Sequence, residues 1–301
     1  MALNLESTMK IWIIMGIIAM LANVSKILYV KLRCTQIDSW LLIFYARLFP
    51  AVILGITLFF IDYEIIHPLQ FWLTTLTTTL LTLLASILYL DSLKRGYLSI
   101  VVPIQAAIPL FMVACTATWY QEVPPLISFG FILIIMGSIA ITLILTHPNQ
   151  PPADAKLFST GVLKSIAAAI LFGISTVLDR IAIASVTHGG LVYSAYWHIT
   201  TSIILLPLIV FRPASVKQPQ HFGVIFLYAI LALIAFVFQQ LAVQYSLVID
   251  NGVTYVKSIV MIHISIVTII SIVLLKEKPH RWLLIASFLT FIGGLGLIMS
   301  I

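Results

Sequence analysis

The chain has 301 residues, of which 61% are hydrophobic and only 9% charged, with a mean hydropathy of +1.15. Soluble domains carry roughly one-quarter charged residues, so this composition excludes a water-soluble globular protein. The net charge of +6 does not indicate nucleic-acid binding, because a basic groove needs a soluble face to carry it and the excess charge sits in short connecting loops.

A bilayer-spanning helix needs about 20 predominantly apolar residues. Ten such stretches follow one another, at about 11–31, 39–61, 69–90, 97–119, 124–145, 160–184, 190–211, 221–246, 252–275 and 280–300. The segment Ile11 to Leu21 after Lys10 imitates the apolar region of a signal peptide, but it continues past Ala22 and nine spans follow, so it reads as an uncleaved first span. The predicted fold class is an all-α integral membrane protein of ten transmembrane helices.

Span one carries a small and polar stripe at helical spacing, Gly16, Ala19, Asn23, Lys26 and Val30. Lys26 either snorkels to the interface or faces a shared central space. In span two, Arg47 lies about eight residues deep, roughly 12 Å at 1.5 Å per residue. An arginine at the centre of an inserting helix costs about 2.5–3.5 kcal/mol, so Arg47 either faces a cavity or gate or pairs with another helix. The threonine run Thr74 to Thr82 in span three is expected to satisfy its hydroxyls on its own backbone and on neighbouring helices.

Gln105 in span four, with Gln239, Gln240 and Gln244 in span eight, offers neutral donors and acceptors suited to helix-to-helix bonding or to a polar solute. Span six repeats the stripe of span one as Gly173, Thr176 and Arg180. Its adjacent Asp179 and Arg180 fall near the span end and read as interfacial structural residues. Tyr193, Tyr196 and Trp197 open span seven, where aromatics commonly belt the interface, although Trp197 is also retained as a candidate solute contact. His198 and His263 could relay protons or serve as satisfied core histidines. Lys257, about five residues into span nine, either snorkels or reaches inward. The glycines Gly293, Gly294 and Gly296 suit close helix packing or a homodimer face.

Thr146 to Ser159, with Pro148, Pro151 and Pro152, divides the chain into halves at 1–147 and 159–301 joined by a linker at 148–158. The halves are similar to one another. Span four, the Glu122 turn and span five match span nine, the Glu277 turn and span ten at an offset of about 155, so that Gly137 falls opposite Gly293 with one inserted residue. Spans one and six match at an offset of about 150. A repeat with an odd number of spans sits upside down relative to its copy, which is the inverted-repeat plan of secondary transporters, with the site near the midplane.

The segment from Gly96 through Leu98 and Val101 to Pro103, then Pro109 and Leu110, the turn from Glu122 to Pro125, and Gly130 to Gly137 resembles the fourth and fifth spans of EamA-type transporters of the drug/metabolite transporter superfamily. Arg47 within span two and Leu274 to Lys278 leading into Gly293 and Gly294 extend the resemblance over essentially the whole chain. It implies ten helices in two inverted five-helix repeats around a central cavity, in the cytoplasmic (inner) membrane of a bacterium, with cytoplasmic termini. Loop charge implies the opposite orientation. Lys31, Arg33, Lys94, Arg95, Lys156, Arg212, Lys217, Lys276, Lys278 and Arg281 all fall in the odd-numbered loops, which the positive-inside rule assigns to the cytoplasm.

No phosphate-cradling glycine loop followed by Lys-Ser or Lys-Thr, no paired intramembrane carboxylates and no His-Glu-x-x-His motif is present. Cys34 and Cys115 match no metal or redox spacing. The sequence therefore predicts a non-enzymatic carrier without cofactor or metal, whose partners are a small-molecule solute and membrane lipid. The candidate solute contacts are Asn23, Lys26, Arg47, Gln105, Trp197, His198, Gln240, Lys257 and His263. The inward candidates Lys26, Arg47 and Lys257 are cations and span one lacks a glutamate, which favours an anionic or zwitterionic metabolite, amino acid or nucleotide-like, over a lipophilic cation or quaternary amine. The rival classes are a receptor or assembly subunit that does not translocate, and an enzyme on lipid-linked substrates, for which Asp62, Glu64 and His67 are the nearest cluster and look like a solvated turn.

Overall fold

The computed structural model describes residues 5–95, 98–122, 125–145, 160–211, 221–275 and 281–299. In order these form α1 (Leu5–Arg33), α2 (Ser39–Leu58), α3 (Pro68–Arg95), α4 (Leu98–Ile104), a single 3₁₀ turn (Gln105–Ala107), α5 (Ile108–Trp119), α6 (Leu126–Leu145), α7 (Thr160–Ala184), α8 (Gly189–Val210), α9 (Phe222–Ser246), α10 (Gly252–Met261), α11 (His263–Leu274) and α12 (Arg281–Met299). No β-strand occurs among the described residues, only one isolated antiparallel bridge between Ile65 and Val186. The proline-rich linker, the Glu277 turn and five of the ten basic loop residues, Lys156, Arg212, Lys217, Lys276 and Lys278, lie outside the described residues.

Eight helical segments are long and apolar enough to cross a membrane, from Ile11–Arg33 to Gly252–Leu274. The two other expected spans fall on α6, of twenty residues, and on α12, whose described apolar stretch is Leu284–Gly296. The outer surface carries exposed Val52, Ile56, Leu76, Leu80, Leu206 and Phe288, with Trp72, Trp119, Phe211, Phe222 and Trp282 near the helix ends. This is an apolar band with aromatic rims, as lipid contact requires. Helix α3 runs to Arg95, beyond the expected end at residue 90, and its last turns are anchored by ion pairing of Asp91 with Lys164 of α7.

Two expected spans are single passes broken near their middles. In the first, Pro109 has no N–H to give the Gln105 carbonyl, which accepts instead from Ile108 N–H, three residues on, and the helix tightens into a 3₁₀ turn. In the second, Ile262 N–H reaches back to Ile259 O at 3.1 Å and Ser265 N–H to Ile262 O at 3.1 Å. There the ring of His263 supplies the cause, its Nδ1 standing 2.5 Å from the Val260 carbonyl, to which only an N–H can donate.

Packing between the halves is reciprocal. Helix α3 lies along α7 just as α9 lies along α1, α2 packs on α8, α6 packs on α12, and α4 meets α11. Small residues permit the close approaches: an added Cβ on Gly173 would stand 2.6 Å from Phe111 Cβ, and one on Gly16 3.2 Å from Ile259 Cγ2. Gly293 and Gly296 close against Phe131 and Ile135 of α6 and Gly294 against Ile262. These glycines, expected to suit close helix packing or a homodimer face, make close contacts within the chain, because the α6–α12 contact needs those Cβ-free positions.

One end of the bundle is tied shut. Thr187 N–H donates to Glu64 O at 3.0 Å, Glu64 N–H to Thr187 Oγ1 at 2.7 Å and Ile66 N–H to Ser185 O at 2.9 Å, pinning the α2–α3 loop to the α7–α8 loop. The turn of Asp62, Glu64 and His67 is thus a structural clasp. At the same end Glu122 takes Arg180 Nη1 at 2.7 Å and the Asn251 N–H at 3.1 Å, while the Arg180 guanidinium lies 4.6 Å from the Tyr120 ring centroid. These contacts join the end of α5, α7 and the start of α10.

Candidate functional site

The central cavity measures about 150 Å³ and draws its walls from α1, α2, α3, the 3₁₀ turn, α5 and α7 to α11. It includes Ile27 and Val30 near the end of α1, Leu90 and Leu93 near the end of α3, and Tyr228 near the start of α9. It therefore extends toward the α1–α2 end, away from the clasp. Of the nine residues expected at a site, Asn23, Lys26, Arg47, Gln105, Trp197, Lys257 and His263 line it.

Two do not. Gln240 is fully buried behind the wall and reaches the cavity through a neighbour, its Nε2 donating to Asp179 Oδ2 at 3.1 Å. His198 is fully buried edge-on against Trp197 and Phe236, at ring-centroid distances of 4.9 and 5.1 Å, and neither ring nitrogen has a hydrogen-bond partner. It meets the site through the rings of Trp197 and Phe236, which do line the cavity.

Each cavity cation is held by a neutral group. Lys26 Nζ donates to Asn23 Oδ1 at 2.7 Å, one turn back on the same helix. Lys257 Nζ donates to Gln239 Oε1 at 3.2 Å, from α10 to α9. The Arg47 guanidinium stacks over Trp197 at 4.5 Å from the ring centroid, a cation–π arrangement available to a planar cation. The Trp197 ring is fixed from behind by Phe236, stacked at 4.2 Å and 18°.

Asp179 is the carboxylate of this wall. It is 5% exposed and accepts from the Tyr193 hydroxyl as well as from Gln240. The Tyr193 hydroxyl is bonded in turn to Thr78 Oγ1 at 2.9 Å. The interfacial role expected for Asp179 is incorrect, and the same helix explains why Arg180 differs: neighbours on a helix diverge by about 100°, so Asp179 turns inward while Arg180 turns to Glu122. The belt role expected for Tyr193 and Trp197 is also incorrect, since both are buried at Asp179 and Arg47. Tyr196 stays at the end of the bundle, its hydroxyl 2.6 Å from that of Tyr63.

The threonine run is divided. Thr74 donates to Gln70 O at 2.6 Å and Thr77 to Leu73 O at 2.8 Å, as expected, whereas Thr82, Ser86 and Tyr89 continue the same helix as cavity wall. Their spacing of four and three residues is a helical stripe, a signal the sequence carried. Gln105 hangs at the first helix break and donates through Nε2 to Ser165 O and Oγ, both at 2.8 Å. Gln105 Oε1, Tyr89 OH and Trp197 Nε1 belong to cavity-lining residues, are buried and have no protein partner. Such groups are costly when unpaired. No group of three metal-ligating side chains occurs among the described residues.

No curated protein matches the chain. A crystal structure of a protein 16% identical to it, covering 95% of this chain and 96% of its own, superimposes with a TM-score of 0.64, which shows a shared fold. The model of the EamA-like transporter family matches twice, at residues 10–144 and 159–299, once over each half. With nearly its whole length covered by those two matches, the chain belongs to the EamA-like transporter family.

Proposed function

We propose that this membrane transporter is a secondary carrier or exchanger, working by alternating access on a small anionic or zwitterionic metabolite of amino-acid size, in a bacterial inner membrane. The observation that carries this reading is the cavity's charge: Lys26, Arg47 and Lys257 line the one cavity and are held by neutral or aromatic groups, with Asp179 the carboxylate among the lining residues. Charges withdrawn from water need compensation, and a guest anion supplies it. Size narrows the class, because a void of about 150 Å³ accommodates a molecule such as benzene, smaller than a nucleotide.

Ten spans in two inverted five-helix repeats suit this mechanism. The reciprocal packing of α3 on α7 and α9 on α1 supports that plan, as do the breaks in the fourth and ninth expected spans. Discontinuous spans at matching positions of two halves commonly flank a midplane site. The clasp at Glu64, Thr187, Glu122 and Arg180 would be the closed gate.

The test is the melting temperature of the detergent-purified chain against amino acids, nucleotides, sugar phosphates and quaternary amines, since a ligand of the folded state raises it. Stabilisation by an amino acid or another small anion, followed by its flux into sealed vesicles, bears the reading out. Stabilisation by quaternary amines alone would move it to a cation carrier centred on Asp179 and the rings of Tyr89, Trp197 and Tyr228. Binding without flux would make the chain a receptor.

A further inference from the structure

We infer that Asp179 is a reversible proton-binding site of the cavity and that the Gln240 amide changes places with its protonation. The inference extends the carrier reading above by naming the ion that loads beside the solute.

Asp179 is nine-tenths buried and lines the cavity, yet among the described residues no cation pairs with it. Lys257, whose positive charge acts on it, spends its ammonium on Gln239 Oε1 at 3.2 Å. The carboxylate instead has two neutral donors, Tyr193 OH on Oδ1 and Gln240 Nε2 on Oδ2. A carboxylate in a span is expensive and marks ion pathways, and one with only neutral contacts can become uncharged without breaking an ion pair.

Gln240 provides for the uncharged form. Its Oε1 is buried and has no donor, while its Nε2 faces Asp179. When hydronium gives a proton to Oδ2 and leaves as water, rotation of the amide about its last torsion brings Oε1 to accept the new O–H. Tyr193 continues to donate to Oδ1, by then the acid's carbonyl oxygen. Both protonation states thus retain two hydrogen bonds, and the amide's orphan oxygen gains its partner in the protonated one.

Around the cavity stand Lys26 of α1, Arg47 of α2, Tyr89 of α3, Tyr228 of α9, Lys257 of α10 and His263 of α11, and Tyr193 comes from α8. Helix α4 and the 3₁₀ turn carry no titratable side chain, and α5 carries only Cys115. Along α7 itself, Lys164 pairs with Asp91 and Arg180 with Glu122.

The test is an infrared pH titration of the full chain in lipid from about pH 4 to about pH 9, following the carbonyl stretch of protonated carboxylic acid. A band that titrates in the unaltered chain, disappears in Asp179→Asn and returns at a displaced frequency in Asp179→Glu is the expected result. Lys257→Met removes a nearby positive charge and moves the midpoint to higher pH. An unaltered-minus-Asp179→Asn difference spectrum with no titrating acid band overturns the proposal, since the other carboxyls, which titrate at about pH 4, cancel in it. Asp179→Glu covers the case in which the asparagine variant does not fold. Because the titration needs no solute, its failure leaves the anion cavity standing, and failure of the solute panel leaves the titration standing.

Discussion

The guanidinium of Arg47, deep in the second helix, lies over the indole of Trp197 at 4.5 Å, and no carboxylate among the described residues reaches it. The stack sets a flat cation at the cavity wall with N–H groups left to donate. Arg47→Ala should weaken the stabilising solute at least tenfold, or about 1.4 kcal/mol. Arg47→Lys should recover only part, because a compact ammonium cannot reproduce the planar fork over the ring. Isothermal titration of both variants against the unaltered chain measures this, and equal affinities would remove Arg47 from the site.

Lys257 should behave differently. It is nearly buried and bonded to Gln239, so Lys257→Met keeps the stem's volume while discarding a charge that is costly to bury. The variant should melt no lower than the parent and bind an anionic solute at least tenfold more weakly. Melting curves with and without solute separate the two effects.

If Asp179 takes up a proton, the anion and the proton assist one another, because binding free energies couple reciprocally. Neutralising Asp179 leaves Lys26, Arg47 and Lys257 unopposed. Affinity for an anionic solute should therefore rise as pH falls through the Asp179 titration, and Asp179→Asn should abolish that dependence. Dissociation constants over a pH series report it.

At the clasped end, Glu122 and Arg180 are each 15% exposed and meet at 2.7 Å. Removing one partner strands the other with little water, so Glu122→Ala should cost about 1–3 kcal/mol. The double variant with Arg180→Ala should recover part of the loss. A double-mutant cycle on thermal stability shows the coupling, and additive losses would mean the pair holds nothing shut.

Cys34, between the first two helices, is fully buried, and burial pushes its thiol up to about 11. The thiolate is the reactive form. Alkylation near neutral pH should therefore run about a hundredfold below that of an ordinary thiol two pH units lower, and accelerate only under alkaline conditions. Mass spectrometry of maleimide-treated protein reads the rate.

Much of this was legible in the residues. Helix limits at Thr160–Ala184, Gly189–Val210 and Phe222–Ser246 follow from apolar length, and Lys26, Arg47 and Lys257 declare themselves because charge inside a span is rare. Asp179 escaped because depth was judged from distance along its own helix, whereas burial depends on which neighbours, α8 and α9, close over it. Trp197 and Tyr193 were masked by the frequency of aromatics at interfaces. The Gln105 break was written in Pro103 and Pro109, but the one at Ile262 has no proline, and only the fold shows a histidine ring competing for its backbone carbonyl.

The paired breaks at Gln105–Ala107 and Ile262 give each of two spans a knee at the depth of the central cavity. A jointed rod can bend its outer shin while the inner thigh stays planted. Gln105 and His263 sit at the joints and on the cavity wall alike, so on the proposed carrier reading a guest would press directly on both knees. Such a molecule would feel its load before either doorway moved.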